Sequence, residues 1–60
     1  MREVELAVHK VIAQGQPVEL APQRSYVRRL QHQFAEGYGL TTESTGAEPN
    51  RRVVVHPVPG

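Results

Sequence analysis

The shortness of the chain is the feature that most limits what it can fold into. Sixty residues without a cysteine have no disulfides and no thiolate metal ligands, so packing alone must hold the domain together. A chain of this length buries only about 60% of the surface that its unfolded form exposes. The sequence therefore predicts one domain with a single thin core, which leaves no room for an enclosed site for a small-molecule substrate.

Positive charge is concentrated in two segments, although the net charge is only +1. Residues 22–34 and 49–60 contain arginines and no acidic residue, and all six glutamates lie elsewhere. If the two segments fold together, they form a positive patch of the kind that binds phosphate. Scattered solubilising charge explains the same arginines equally well, so charge alone leaves both interpretations open.

Hydrophobic spacing predicts two helices and three strands. Apolar residues at helical spacing predict a first helix that ends at Gly15; they are Val4, Val8, Val11 and Ile12. A short strand is predicted at 18–20, and a hairpin is predicted from 40–45 and 51–56. The order α-β-α-β-β favours a small two-layer α+β domain in which a three-stranded sheet carries both helices on one face.

The second helix is predicted to begin between residues 22 and 25 and to end near Glu36. At 100° per residue, one narrow sector contains the expected core residues, Val27, Leu30, Phe34 and Tyr38. Arg28 and His32 are four residues apart and share another side of the helix. The spacing therefore predicts that both side chains are exposed, on a face that can bind a ligand.

The residue pattern gives no support to an enzyme. The histidines, His9, His32 and His56, fall on three different predicted elements, and no His-x-x-x-His or Cys-x-x-Cys pattern is present. No glycine-rich turn presents a serine nucleophile or surrounds a phosphate. We therefore expect a non-catalytic domain with no cofactor and no metal site.

The pair Arg28 and His32 has the chemistry of a nucleic-acid site. An arginine offers a planar fork of donors that suits phosphate, and its plane also stacks on bases. A histidine one turn later adds a flat ring and a hydrogen-bonding group, and single-stranded nucleic acid is bound by such combinations. Taken alone, however, this pair is also common on solvated helices.

The surrounding residues resemble the R-3-H domain, a family named for an arginine, three intervening residues and a histidine. The similar segments are PVELAP at 17–22, SYVRRLQH at 25–32, YGL at 38–40 and ESTGAEPNRRVVV at 43–55. They occur in the same order and at matching spacing, and the last is similar to bacterial members, including Jag-type RNA-binding proteins. Two departures are the alanine within the Leu20–Pro22 turn and the valine before the signature arginine.

The resemblance implies a three-stranded antiparallel sheet with two helices on one side, and binding of single-stranded DNA or RNA as a module of a larger protein. It also implies that Arg28 and His32 form the signature pair and that Arg51 and Arg52 are the basic residues of the hairpin. Neighbours on a strand point to opposite sides. We prefer Arg52 as the ligand contact, because Arg51 shares the side of the buried valines, but the ends of a strand are loose enough to keep both arginines in the predicted site.

Two further arginines complete the predicted site, and each has a plainer explanation. Arg29 is equally an ordinary surface residue, and Arg24 can begin the second helix and contact nothing. Tyr26 and Tyr38 can stack on bases, although Tyr38 is expected in the core.

Taken together, the sequence predicts a monomeric, cytoplasmic domain at 1–57 with a flexible tail at 58–60 and no membrane segment. The alternative is a protein-interaction domain that keeps the fold without binding nucleic acid.

Overall fold

The computed structural model describes residues 2–58, and its elements follow the predicted order. Helix α1 spans Arg2–Gln14, strand β1 Val18–Glu19, helix α2 Ser25–Glu36, strand β2 Thr41–Thr45 and strand β3 Arg52–His56. The predicted α+β class, with two helices on a three-stranded antiparallel sheet, is confirmed. Of the predicted tail, only the exposed Val58 belongs to the described residues; Pro59 and Gly60 lie outside them.

The sheet has the order β1-β3-β2, so the last strand of the sequence lies at its centre. Strand β3 is antiparallel to both neighbours, with Val55 opposite Val18 of β1 and Val53 opposite Ser44 of β2. Val53 and Val55 are buried, whereas Val54 between them is only partly covered. The alternation shows that the helices pack on the side of Val53 and Val55.

The core is one small cluster, as the length of the chain requires. Its buried members are Val4, Ala7, Val8, Val11, Leu20, Ala35, Leu40, Val53 and Val55. Ile12, which the spacing predicts on the buried stripe of α1, is exposed. Helix α1 ends where Gly15 takes a φ of +66° and its amide donates to the carbonyl of Val11 at 2.8 Å. No helix within residues 2–58 is long and apolar enough to cross a bilayer.

The predicted buried face of α2 is wrong by roughly a quarter turn, taking 100° per residue. The residues that α2 buries are Arg28, Gln31 and Ala35. The predicted stripe is displaced to the flank: Val27, Leu30 and Phe34 are only partly buried, and Tyr38 is exposed. Tyr38 packs at that flank, with its ring centroid 5.3 Å from Phe34 and 6.4 Å from His9 of α1.

This rotation has a physical reason in the small side chain of Ala35 and the ion pair of Arg28. Ala35 lets α2 approach the core closely, and it is fully buried. Arg28 can be buried because a carboxylate and a backbone carbonyl bind its guanidinium. The carboxylate comes from a residue twenty positions away, so hydrophobic spacing along α2 does not reveal it.

Candidate functional site

A cleft lies between the N-terminal half of α2 and strands β2 and β3. Its volume is about 340 Å³, and it is lined by Ser25, Arg28, Arg29, His32, Thr42, Glu43, Ser44, Arg51 and Val53. The fold therefore brings together the two acid-free arginine segments, one on α2 and one at the beginning of β3. Three hydroxyl side chains that the sequence analysis did not assign to a site also line the cleft, those of Ser25, Thr42 and Ser44.

Arg28 is at the site but is not the exposed residue that we predicted. It is only 9% exposed, because α2 turns it towards the sheet. Its Nη2 lies 3.0 Å from Oε2 of Glu48 and its Nη1 3.4 Å from Oε1, a two-point contact. Nη1 also donates to the carbonyl oxygen of Gln23. The guanidinium of Arg28, the signature arginine, is therefore already bound to other groups of the same domain.

His32 is exposed, as predicted, and connects α2 to the neighbouring strand. One ring nitrogen, Nε2, lies 2.9 Å from Oε2 of Glu36, one turn further along α2. The other, Nδ1, is hydrogen-bonded to Oγ1 of Thr42 on β2. These two contacts fix the ring plane at the wall of the cleft and leave part of the ring open to solvent.

The two hairpin arginines point to opposite sides of the sheet, as expected, and it is Arg51 and not the preferred Arg52 that lines the cleft. Arg51 lines the cleft with Arg28 and His32. Arg52 lies on the other face, where its Nε is 2.9 Å from Oε1 of Glu19. Its Nη1 donates to the carbonyl of Asn50 at 3.1 Å. The preference assumed a ligand on the solvent side of the sheet, whereas the cleft opens on the helix side, where α2 leaves the beginning of β3 accessible.

The remaining arginines are exposed near the N-terminus of α2. Arg29 lines the cleft, and its guanidinium carbon lies 5.8 Å from the ring centroid of the exposed Tyr26. Arg24 immediately precedes α2, makes no side-chain cap and lines a neighbouring pocket with Glu48. Within residues 2–58, no carboxylate lies at ion-pair distance from Arg24, Arg29 or Arg51. These three arginines therefore keep their charge available to a ligand.

Sequence reasoning missed Glu48, which determines what Arg28 can do. It assigned Glu48 only to a loop, and its position just before the two hairpin arginines was the one available signal. The contact with Arg28 spans twenty residues and needs the folded chain. Among the described residues, no group of three or more His, Asp or Glu side chains is arranged to hold a metal ion.

Comparison with known proteins assigns the chain to a family. A family model described as the R-3-H domain matches residues 1–57. The chain is 33% identical over 58 residues to "Uncharacterized protein ycf45" of Porphyra purpurea, covering 95% of this chain and 10% of that protein. It is 40% identical over 58 residues to "Protein SEEDLING PLASTID DEVELOPMENT 1" of Arabidopsis thaliana, covering 95% of this chain and 8% of that protein.

No solved structure matches the chain significantly. The chain spans about a tenth of the length of the curated relatives named above. Neither relative tests the finer resemblance to bacterial Jag-type proteins, which stays a prediction. The match over almost the whole chain does cover both walls of the cleft, α2 and the β2–β3 hairpin.

Proposed function

The chain belongs to the R-3-H domain family, and we propose that it binds single-stranded RNA or DNA in the cleft between α2 and the β2–β3 hairpin. The family generally binds nucleic acid. The observation that carries the proposal for this chain is the meeting of Arg29 and Arg51 in one cleft, with no carboxylate paired to either among the described residues.

Arg29 and Arg51 supply the phosphate contacts in this proposal. They approach the cleft from α2 and from the beginning of β3, so adjacent phosphates of one strand can meet one arginine each. Hydroxyl groups of Ser25 and Ser44 line the same cleft and can donate to phosphate or sugar oxygens. Affinity then comes mainly from the backbone of the strand, with little dependence on its sequence.

The pair of Arg29 and Tyr26 favours a single strand over a duplex. Both present flat groups at the surface beside the cleft, and Tyr26 is exposed. An unpaired base can rotate out and stack on such a surface, whereas the bases of a duplex are stacked on one another. His32 offers a third flat group on the wall of the cleft.

The proposal treats the chain as one module of a larger protein, in agreement with the small share of its relatives that it covers. It keeps three properties expected from the sequence: the module is not catalytic, it is monomeric by itself and it is cytoplasmic. A plastid appears in the printed name of one relative and describes that protein.

Salt dependence gives the direct test of the proposal. We expect labelled single-stranded RNA or DNA to bind more weakly than micromolar, and the matching duplex to bind less tightly still. With two or three phosphate contacts from Arg29, Arg51 and Arg24, log K against log salt should have a slope of roughly −1.4 to −2.1, at about 0.7 per contact. Fluorescence anisotropy across a salt series measures both quantities.

The alternative function, a protein-interaction domain, predicts a different result. Binding that is absent at low salt, or that has no salt dependence, would show that the cleft is not a phosphate site. Equal affinity for the duplex and the single strand would agree with the phosphate contacts but would contradict the role proposed for Tyr26.

A further inference from the structure

The ion pair between Arg28 and Glu48 joins α2 to the β2–β3 loop, residues 46–51, and Arg51 is the last residue of that loop. We propose that Glu48 and Arg28 are positioning residues: their ion pair holds the loop so that Arg51 points into the cleft. This inference rests on the proposed function, because it assigns roles within the same site.

The contacts of Arg28 leave little of its guanidinium for a ligand. The residue is 9% exposed, and both Nη atoms face Glu48, one of them also donating to the carbonyl of Gln23. Two parallel contacts to one carboxylate fix the plane of the group as well as its position. A phosphate would have to displace Glu48 and leave a carboxylate unpaired beside its own negative charge.

The loop is short, and side chains on both sides of the sheet hold its turn. The Asn50 amide donates to the carbonyl of Ala47 at 2.7 Å, closing a turn around Glu48. On the far face of the sheet, Arg52 donates to the carbonyl of Asn50 at 3.1 Å. The loop is therefore fixed by Arg28 from the helix side and by Arg52 from the opposite side. Arg51 follows Asn50 directly, so movement of the turn moves its backbone.

The sign of the effect of Glu48 on affinity distinguishes positioning from simple electrostatics. A carboxylate beside a phosphate site repels the ligand, so its removal should strengthen binding. If Glu48 positions Arg51, its removal should instead weaken binding. Glu36 is a matched control: its side chain is 65% exposed against 63% for Glu48, and it pairs with another cleft residue, His32.

The test measures binding of fluorescein-labelled oligo(U) RNA and oligo(dT) DNA of about ten nucleotides, over a range of salt. We expect Glu48→Ala to weaken binding by about tenfold at low salt, the scale of one lost charge-assisted contact. It removes no positive charge, yet the salt slope should fall by about 0.7, because Arg51 no longer meets a phosphate. Adding Arg51→Ala to Glu48→Ala should change little more.

Glu36→Gln removes the charge but keeps an amide oxygen that can accept from Nε2 of His32, so it should strengthen binding slightly or leave it unchanged, with the wild-type slope. Loss of folded protein alone lowers the apparent affinity but leaves the slope of the remaining folded molecules unchanged, so the slope separates positioning from stability. Circular dichroism under the same conditions gives the folded fraction. Glu48→Gln keeps one acceptor for Arg28 and should show an intermediate loss of affinity. It replaces Glu48→Ala in the test if the alanine variant does not fold.

Hydrogen exchange in the free protein tests the inference without any oligonucleotide. In Glu48→Ala or Glu48→Gln, the Asn50 amide should exchange several-fold faster than in wild type, whereas Glu36→Gln should leave it unchanged. Unchanged protection of Asn50 would overturn the positioning role even if the wild type binds no nucleic acid. Tighter binding by Glu48→Ala with an unchanged slope would also overturn it and would mean that Glu48 only repels the ligand; a slope steeper by about 0.7 would mean that Arg28 becomes a phosphate ligand once Glu48 is removed.

Discussion

Leu20→Ala should unfold a large fraction of the domain at 25 °C. Leu20 is 3% exposed and follows β1, where its amide donates to the carbonyl of Val53 at 2.8 Å. Truncating a buried leucine to alanine costs about 2–5 kcal/mol. A core in a chain of this size rarely supplies more than about 3–5 kcal/mol of net stability. Urea titration followed by circular dichroism measures the change.

Leu6→Ala is the control for this substitution, because it removes the same atoms from the surface. Leu6 lies on the solvent side of α1 and is 58% exposed. Its truncation should change the free energy of unfolding by no more than about 0.5 kcal/mol. Equal losses in the two variants would mean that Leu6 is buried in solution and that the face of α1 is assigned wrongly.

Arg51→Ala should produce the largest loss of affinity among substitutions of the exposed arginines. The variant removes a cleft arginine that has no carboxylate partner within residues 2–58. We expect about tenfold weaker binding of a single-stranded oligonucleotide at low salt, and a salt slope reduced by about 0.7. Its stability should stay near that of the wild type, because the side chain makes no ion pair among the described residues.

Arg52→Ala is the matched comparison, since it removes the same charge from the next residue along the strand. Arg52 faces the other side of the sheet and pairs with Glu19. Glu48 and Arg28 still hold the loop in this variant, so the salt slope should fall much less than in Arg51→Ala, and breaking the ion pair with Glu19 should cost about 0.2–1 kcal/mol of stability. If both variants lose affinity and slope equally, the ligand does not distinguish the two faces of the sheet and the cleft is not the binding site.

The strands and their positions along the chain could be predicted from the sequence because local patterns determine them. Alternation placed Val53 and Val55 on one face and showed that Arg51 shares their side. Glycines marked the ends of both helices, as at Gly15 and Gly37. Each of these features depends on residues close together in the chain, so each can be predicted from a single sequence.

The orientation of α2 and the choice between the hairpin arginines could not be predicted in the same way. Burial of Arg28 depends on Glu48, a partner twenty residues away that periodicity cannot detect. The role of Arg51 depends on where α2 leaves the sheet uncovered, which is a property of packing. For that reason the sequence predicted that the two arginine segments come together, but not which of their side chains face the cleft.

The central position of β3 determines when the domain can form during synthesis. Among residues 2–58, strands β1 and β2 pair only with β3 and not with each other, so neither has a partner strand there until residues 52–56 have left the ribosome. The same final segment brings Arg51 into the cleft. A nascent chain that lacks it has neither a sheet nor a complete cleft, so the binding that we propose requires the whole domain.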